Sequence, residues 1–138
     1  MKTKALLLAA GFGTRLRPIT YNTPKCLVKI NNIPILEHWL LKLEKIGIDE
    51  VLINKYYLAE KVEEFLKKRA KSNLKITQFY EEELYGTAGT LIKNKSFFYK
   101  SNILFIHADN YTKSDLSGLL ESFSKRPKNC LMTMLTFK

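Results

Sequence analysis

Cysteine is scarce in this chain: Cys26 and Cys130 are the only two in 138 residues, far apart and in no metal-ligand spacing. That excludes a disulfide framework or zinc site as the organising device, and both thiols are expected free and reduced. Long apolar runs are also lacking. The longest near the start covers residues 5–10, too short to span a bilayer, and it leads straight into Gly11 and Gly13 without the apolar stretch of a secretory signal. No membrane partner is expected, and the chain reads as cytoplasmic. Negative charge is missing from the opening segment. The first acidic residue is Glu37, while Lys2, Lys4, Arg15, Arg17, Lys25 and Lys29 precede it.

What is present is an ordinary globular composition, 46% apolar and 26% charged, with a net charge of +10. The length suits one domain with a real core. A basic balance calls for an anionic partner, and here the charge concentrates in the first segment. Nucleic acid is not expected, because zinc-finger spacing and RNA-reading aromatic motifs are both absent.

Strand and helix patterns alternate. Residues 4–9 read as a buried strand. Asn32 is expected to cap a helix from Ile33, with Pro34 in its first turn. That helix buries Leu36, Trp39, Leu40, Leu43 and Ile46, and Gly47 stops it. Residues 50–54 form a second strand, and Leu58, Val62, Phe65, Leu66 and Arg69 mark a helical stripe. A third strand covers 74–80, a short helix opens at Thr87, and a fourth strand covers 102–107. Ser114 is expected to cap a helix running through Phe123, and 130–137 reads as a last strand.

This alternation predicts an α/β fold: a Rossmann-like, mainly parallel sheet with helices on both faces. Right-handed crossovers favour strand order 3-2-1-4, which places a switch point between strands 1 and 4. The loops after Ala9 and after His107 meet there. The first carries Gly11, Gly13, Arg15 and Lys25, and the second carries Asp109. Backbone N–H groups and cations opposite a carboxylate suit a magnesium–polyphosphate complex. A Walker loop is excluded, because no Gly-Lys-Ser/Thr follows. Leu16 at the third glycine position argues against a dinucleotide fingerprint.

The runs LAAGFGTRLRPIT and PKCLVKI resemble the signature of the sugar-phosphate nucleotidylyltransferases, or nucleotide-sugar pyrophosphorylases. ILEHWLLKLEKIGIDEVLIN, YLAEKVEEFL, YEEELYGTAGTL and LFIHADN extend the resemblance over nearly the whole chain. Such enzymes transfer a nucleoside monophosphate from an NTP to a sugar 1-phosphate, releasing pyrophosphate, with Mg2+ as cofactor. The resemblance implies that Gly11 and Gly13 let backbone approach the nucleotide and that Ala9 and Ala10 lie beside base and ribose. Arg15 would hold the leaving phosphates, Lys25 would sit near the α-phosphate, and Asp109 would bind magnesium. Thr14, Glu81, Gly86 and Thr87 complete the implied nucleotide contacts.

Glu81 stands where relatives using uridine or thymidine nucleotides commonly have Gln. An ionised Glu only accepts hydrogen bonds, which matches the adjacent N1–H and N2–H donors of guanine. With the GTAG run, the segment is most similar to mannose-1-phosphate guanylyltransferases. GTP is therefore the favoured nucleotide; the resemblance implies mannose 1-phosphate as the acceptor, with a heptose or glucose phosphate as alternatives, and surface-polysaccharide synthesis as the pathway; a homo-oligomer stays open. Two other readings stand beside this one: a non-catalytic NTP-binding or regulatory module, and, motivated only by charge, a nucleic-acid-binding protein.

Other residues have plain readings. Arg17 is expected at a solvated rim, His38 exposed, His107 buried and hydrogen-bonded, Trp39 in core or interface, and Cys26 inward. Asp115 is expected in the first turn of a capped helix rather than as a metal ligand. Glu63–Lys67 and Glu64–Lys68 are surface i,i+4 pairs. Ala108 replaces the glycine that many relatives place before the metal aspartate. Residues 1–138 are expected to be the nucleotide-binding part of a longer catalytic domain, with the sugar-binding part largely absent.

Overall fold

The computed structural model describes residues 1–136. Four parallel strands form the main sheet: β1 (Thr3–Leu8), β4 (Glu50–Lys55), β5 (Lys75–Tyr80) and β6 (Asn102–His107), in the spatial order β5-β4-β1-β6. This is the expected 3-2-1-4 arrangement. β1 runs beside β4 with Ala5 opposite Val51, and beside β6 with Leu6 opposite Phe105.

A strand flanked on both sides must be apolar on both faces. Ala5 and Leu7 pack with Val51, Ile53, Leu104 and Ile106 under α1 (Ile35–Lys45), α2 (Ala59–Lys68) and α4 (Leu116–Ser124). Leu6 and Leu52 turn to the other face, where Phe98 and Leu91 of α3 (Gly86–Lys93) cover them. Leu36, Leu40 and Leu43 of α1 are each fully buried. Complete burial contributes about 1.5–3 kcal/mol per such side chain, so these three dominate the docking of α1.

The helix ends have local causes. Gly47 takes a φ of 75° past the end of α1, its N–H donating to Glu44 O at 3.0 Å and that of Ile48 to Leu43 O at 3.0 Å. This is the glycine stop that the sequence predicts. The α2 C-cap Arg69 reaches back to α1, donating from Nε to both oxygens of Glu37 (2.8 and 3.1 Å) and from an η nitrogen to Glu44 at 2.9 Å.

Four expectations need correction. Asn32 caps no helix. Asn31 and Asn32 have φ of 51° and 65° and form the tight turn between β2 (Lys29–Ile30) and β3 (Ile33–Pro34), with Ile30 opposite Ile33. A two-residue hairpin turn with both central φ positive suits asparagine, which tolerates that region, and it delays α1 to Ile35. Asp115, not Ser114, caps α4, accepting from Ser117 N–H at 2.9 Å. α3 opens at Gly86, one residue before Thr87. Residues 130–136 are not a strand: an apolar pattern makes one only where a neighbour offers a ladder, and here Leu131, Met132 and Met134 are exposed. Phe137, the last residue of that expected strand, lies outside the described residues.

Candidate active site at the switch point

The segment leaving β1 folds back on itself. Gly13 has φ 65°, and a Cβ on it would stand 2.9 Å from Thr20 Cγ2 and 3.2 Å from Lys25 Cβ. Only glycine fits that backbone shape and that gap. Thr20 is fully buried and donates from Oγ1 to Gly13 O at 2.7 Å. Tyr57, beyond β4, donates from its hydroxyl to Thr20 O at 2.8 Å, and Phe12 rests against the Tyr56 and Tyr57 rings. The turn is thus pinned from two sides before it delivers Lys25, which opens a short 3-10 turn, Lys25–Leu27. The adjacent Cys26 thiol is buried, and that burial pushes its pKa up to about 12. It is an inert apolar plug, as expected for an inward cysteine.

The second loop arrives from β6. Ala108 N–H donates to Leu8 O at 3.0 Å, extending the ladder one residue past β6, and Asn110 O accepts from Trp39 Nε1 at 2.8 Å. Asp109 is held between these two anchors. Its Oδ2 forms an ion pair with Lys25 Nζ. Both side chains keep partial solvent access, so the pair adds little to stability; its significance is placement.

Behind the pair lies a cavity of about 220 Å³. Its lining includes Ala9, Ala10 and Gly11 from the end of β1, Lys25 and Asp109, and Glu81, Gly86 and Thr87. A side chain at Gly11 would meet no protein atom within 4 Å. Glu81 is buried, and its Oε1 accepts from Asn54 Nδ2 at 2.9 Å and from Thr90 Oγ1 at 2.5 Å. Glu82 and Glu83 are exposed.

Eight of the residues singled out from the sequence therefore share one cavity: Ala9, Ala10, Gly11, Lys25, Glu81, Gly86, Thr87 and Asp109. Gly13 packs against the stem of Lys25. Thr14 and Arg15 do not line the cavity; they sit on the exposed turn Thr14–Leu16, and among the described residues Arg15 has no carboxylate partner. Arg17 stacks over Tyr21 at 5.0 Å, at the solvated rim as expected. Trp39 is core, and its indole N–H also positions the Asp109 loop.

Two histidines differ from expectation. His107 is exposed on the cavity wall, because the alternating pleat turns Ile106 inward and His107 outward. His38 is half-buried, with Nε2 3.1 Å from Ile30 O and its ring edge-on to Tyr111, because the β2–β3 hairpin folds against its helix face. Sequence reasoning missed Asn54, Thr20 and Tyr57. Only Asn54 left a signal, a lone amide closing the apolar run VLIN.

Among the described residues, no group of three or more His, Cys, Asp or Glu converges as a metal cage. Asp109 alone still fits Mg2+: it is a hard oxygen donor with solvent access, and that ion keeps several waters and takes phosphate oxygens instead of an all-protein cage.

Known proteins resemble this chain in sequence and fold. A family profile described as "Nucleotidyl transferase" matches residues 4–138. Mannose-1-phosphate guanylyltransferase 1 of Arabidopsis thaliana is 46% identical over 89 residues, which is 64% of this chain and 25% of that protein. CTP:phosphocholine cytidylyltransferase from Streptococcus pneumoniae superposes with a TM-score of 0.72 at 33% identity, over 84% of this chain and 49% of that one. A protein from Bacillus anthracis named as a glucose-1-phosphate thymidylyltransferase superposes at 0.80 with 27% identity, over 88% of this chain and 50% of that one. The chain thus spans a quarter of the curated relative and about half of each solved structure.

Proposed function

The chain belongs to the nucleotidyl transferase family, and from that premise we propose that its cavity binds a nucleoside triphosphate and passes the nucleoside monophosphate to a sugar 1-phosphate. GTP is the favoured donor and mannose 1-phosphate the favoured acceptor. The observation that carries this reading is the meeting of Lys25 and Asp109 across the switch point, on the rim of one cavity that also holds Glu81 and Gly86. A cation, a carboxylate and a glycine-bearing turn at the carboxyl ends of parallel strands suit a metal–polyphosphate.

In the proposed reaction a phosphate oxygen of the sugar 1-phosphate attacks the α-phosphorus. The bond from that phosphorus to the bridging oxygen breaks, and pyrophosphate leaves with the electron pair. Such chemistry asks the protein chiefly for positioning and charge stabilisation. Lys25 is assigned to the α-phosphate, where negative charge builds up. Arg15, on its exposed turn, is assigned to the leaving phosphates, which its planar fork can grip bidentately. Asp109 is assigned to Mg2+, which when bound supplies neutralisation of the phosphates.

Ala9, Ala10, Thr14, Gly86 and Thr87 are assigned to the nucleoside and phosphate contacts. Guanine is favoured because Glu81 offers only acceptors and because the curated relative is named as a guanylyltransferase. The acceptor follows the name of that relative. Residues 1–138 are assigned the nucleotide side of the reaction, with the sugar pocket largely outside them.

A thermal-shift panel of GTP, ATP, UTP and CTP with magnesium tests the reading, together with pyrophosphorolysis of GDP-mannose by the full-length protein. The expected result is the largest stabilisation by Mg-GTP and formation of GTP from GDP-mannose and pyrophosphate. Indifference to all four nucleotides contradicts it.

A further inference from the structure

Asn54 is the last residue but one of β4 and is 3% exposed. Asparagine is a poor strand residue, and a buried amide costs free energy unless its groups are paired. Here both ends are paired. Oδ1 accepts from the Ala9 N–H at 2.6 Å, and Nδ2 donates to Glu81 Oε1 at 2.9 Å and to Thr90 Oγ1 at 3.3 Å. The Ala9 N–H fixes which way the amide faces, since a flipped Asn54 would set NH2 against that donor.

Glu81 depends on this arrangement. It is 1% exposed, and no Lys or Arg pairs with it among the described residues. Its carboxyl oxygens are met by neutral donors: Asn54 and Thr90 at Oε1, and Tyr85 N–H at Oε2 at 3.3 Å. A carboxylate has about four lone-pair sites, so Oε2 keeps acceptor capacity beyond its one long contact. Glu81 is part of the cavity wall, as is Asn54.

We infer that Asn54 is a specificity-positioning residue: by tying the Ala9 backbone to Glu81 it holds the carboxylate as an acceptor on the cavity wall, and so sets the site's preference for a base edge that presents donors. The inference rests on the nucleotide reading of the cavity. A merely structural cross-link between strand ends would change affinity for every nucleotide alike, whereas a positioning role changes the ratio between them.

The test measures dissociation constants of Mg-GTP and Mg-UTP, with thermal stability, for the full-length protein and two variants. Asn54→Asp keeps an acceptor for Ala9 N–H and sets a second carboxylate against Glu81. The double variant Asn54→Asp, Glu81→Gln restores the original charge and reverses the donor and acceptor roles of the pair. Asn54→Asp is expected to lower stability and to cut the GTP-over-UTP ratio by about ten- to a hundredfold, the scale of one hydrogen bond to a charged group. The double variant should recover stability without recovering that ratio. Should Asn54→Asp fail to fold, Asn54→Ser, which leaves Glu81 unaltered, decides in its place. A wild-type ratio in a folded variant altered at Asn54 alone overturns the inference and leaves the nucleotide reading standing. Failure of the unaltered protein to bind either nucleotide removes both.

Discussion

At the amino ends of the strands, Lys2 and Lys4 meet Glu50 at 2.7 and 3.0 Å, all three side chains keeping partial solvent access. At the carboxyl ends, Asn54 and Glu81 are almost completely enclosed, and Lys25 meets Asp109 at the rim of a cavity. The same sheet therefore carries two polar edges of opposite character. The solvated edge, where Lys2 is half-exposed, can lose an ion pair at little expense, because pairs that keep solvent access contribute only about 0–1 kcal/mol. The enclosed edge combines a left-handed glycine, a buried threonine and a buried carboxylate. Concentrating buried polar groups at one edge is costly for a fold and is a usual mark of a functional site.

Substitutions at the two edges should therefore differ by orders of magnitude. The largest effect is expected for Lys25→Ala in the full-length protein: turnover should fall by about 100- to 1000-fold, typical for removal of one preorganised transition-state donor, with a smaller change in nucleotide affinity. Steady-state kinetics that show unchanged turnover would remove Lys25 from the chemistry. Gly13→Ala is expected next. Its Cβ would press on Thr20 and on the stem of Lys25 in a left-handed backbone, with an expected destabilisation of about 1–3 kcal/mol in denaturant titration. A fully stable variant would show that the turn relaxes freely. Thr20→Val keeps the shape and removes the bond to Gly13 O, which still accepts from Leu16 N–H at 2.9 Å, so a loss of about 0.5–1.5 kcal/mol is expected.

The smallest effect belongs to the solvated edge. Hydrogen bonds from Lys2 and Lys4 lower the Glu50 pKa to about 2. A carboxyl whose folded pKa lies below the unfolded value of about 4.3 adds stability above that value and loses it as pH falls toward 2. Glu50→Gln should flatten the acid limb of the stability curve between those pH values, and its loss at neutral pH should match the stability that the unaltered protein gives up across that limb. A larger loss at neutral pH would erase the contrast between the two edges.

Strand order and the convergence of the two loops were legible because they depend on periodicity and on the handedness of crossovers, which are local properties summed along the chain. Gly47 was legible for the same reason: the stop is a one-residue backbone requirement. The β2–β3 hairpin was not, because Asn32 followed by a proline two residues later also fits a helix start, and only the pairing of Ile30 with Ile33 decides between them. The strand expected at 130–137 failed where a partner strand, not the segment's own pattern, decides. Asn54, Thr20 and Tyr57 act through contacts with residues distant in sequence, such as Asn54 with Ala9 and Glu81. Apart from the lone amide that closes VLIN, nothing in their immediate neighbours announces those contacts.

The most direct measurement is a crystal structure of the full-length protein with magnesium and a non-hydrolysable GTP analogue. The triphosphate is predicted between Lys25 and Asp109, with the metal on Asp109, Arg15 swung onto the terminal phosphates, and the guanine edge within hydrogen-bond distance of Glu81. A nucleotide bound away from the Lys25–Asp109 rim, or one whose base lies on a different wall, contradicts it.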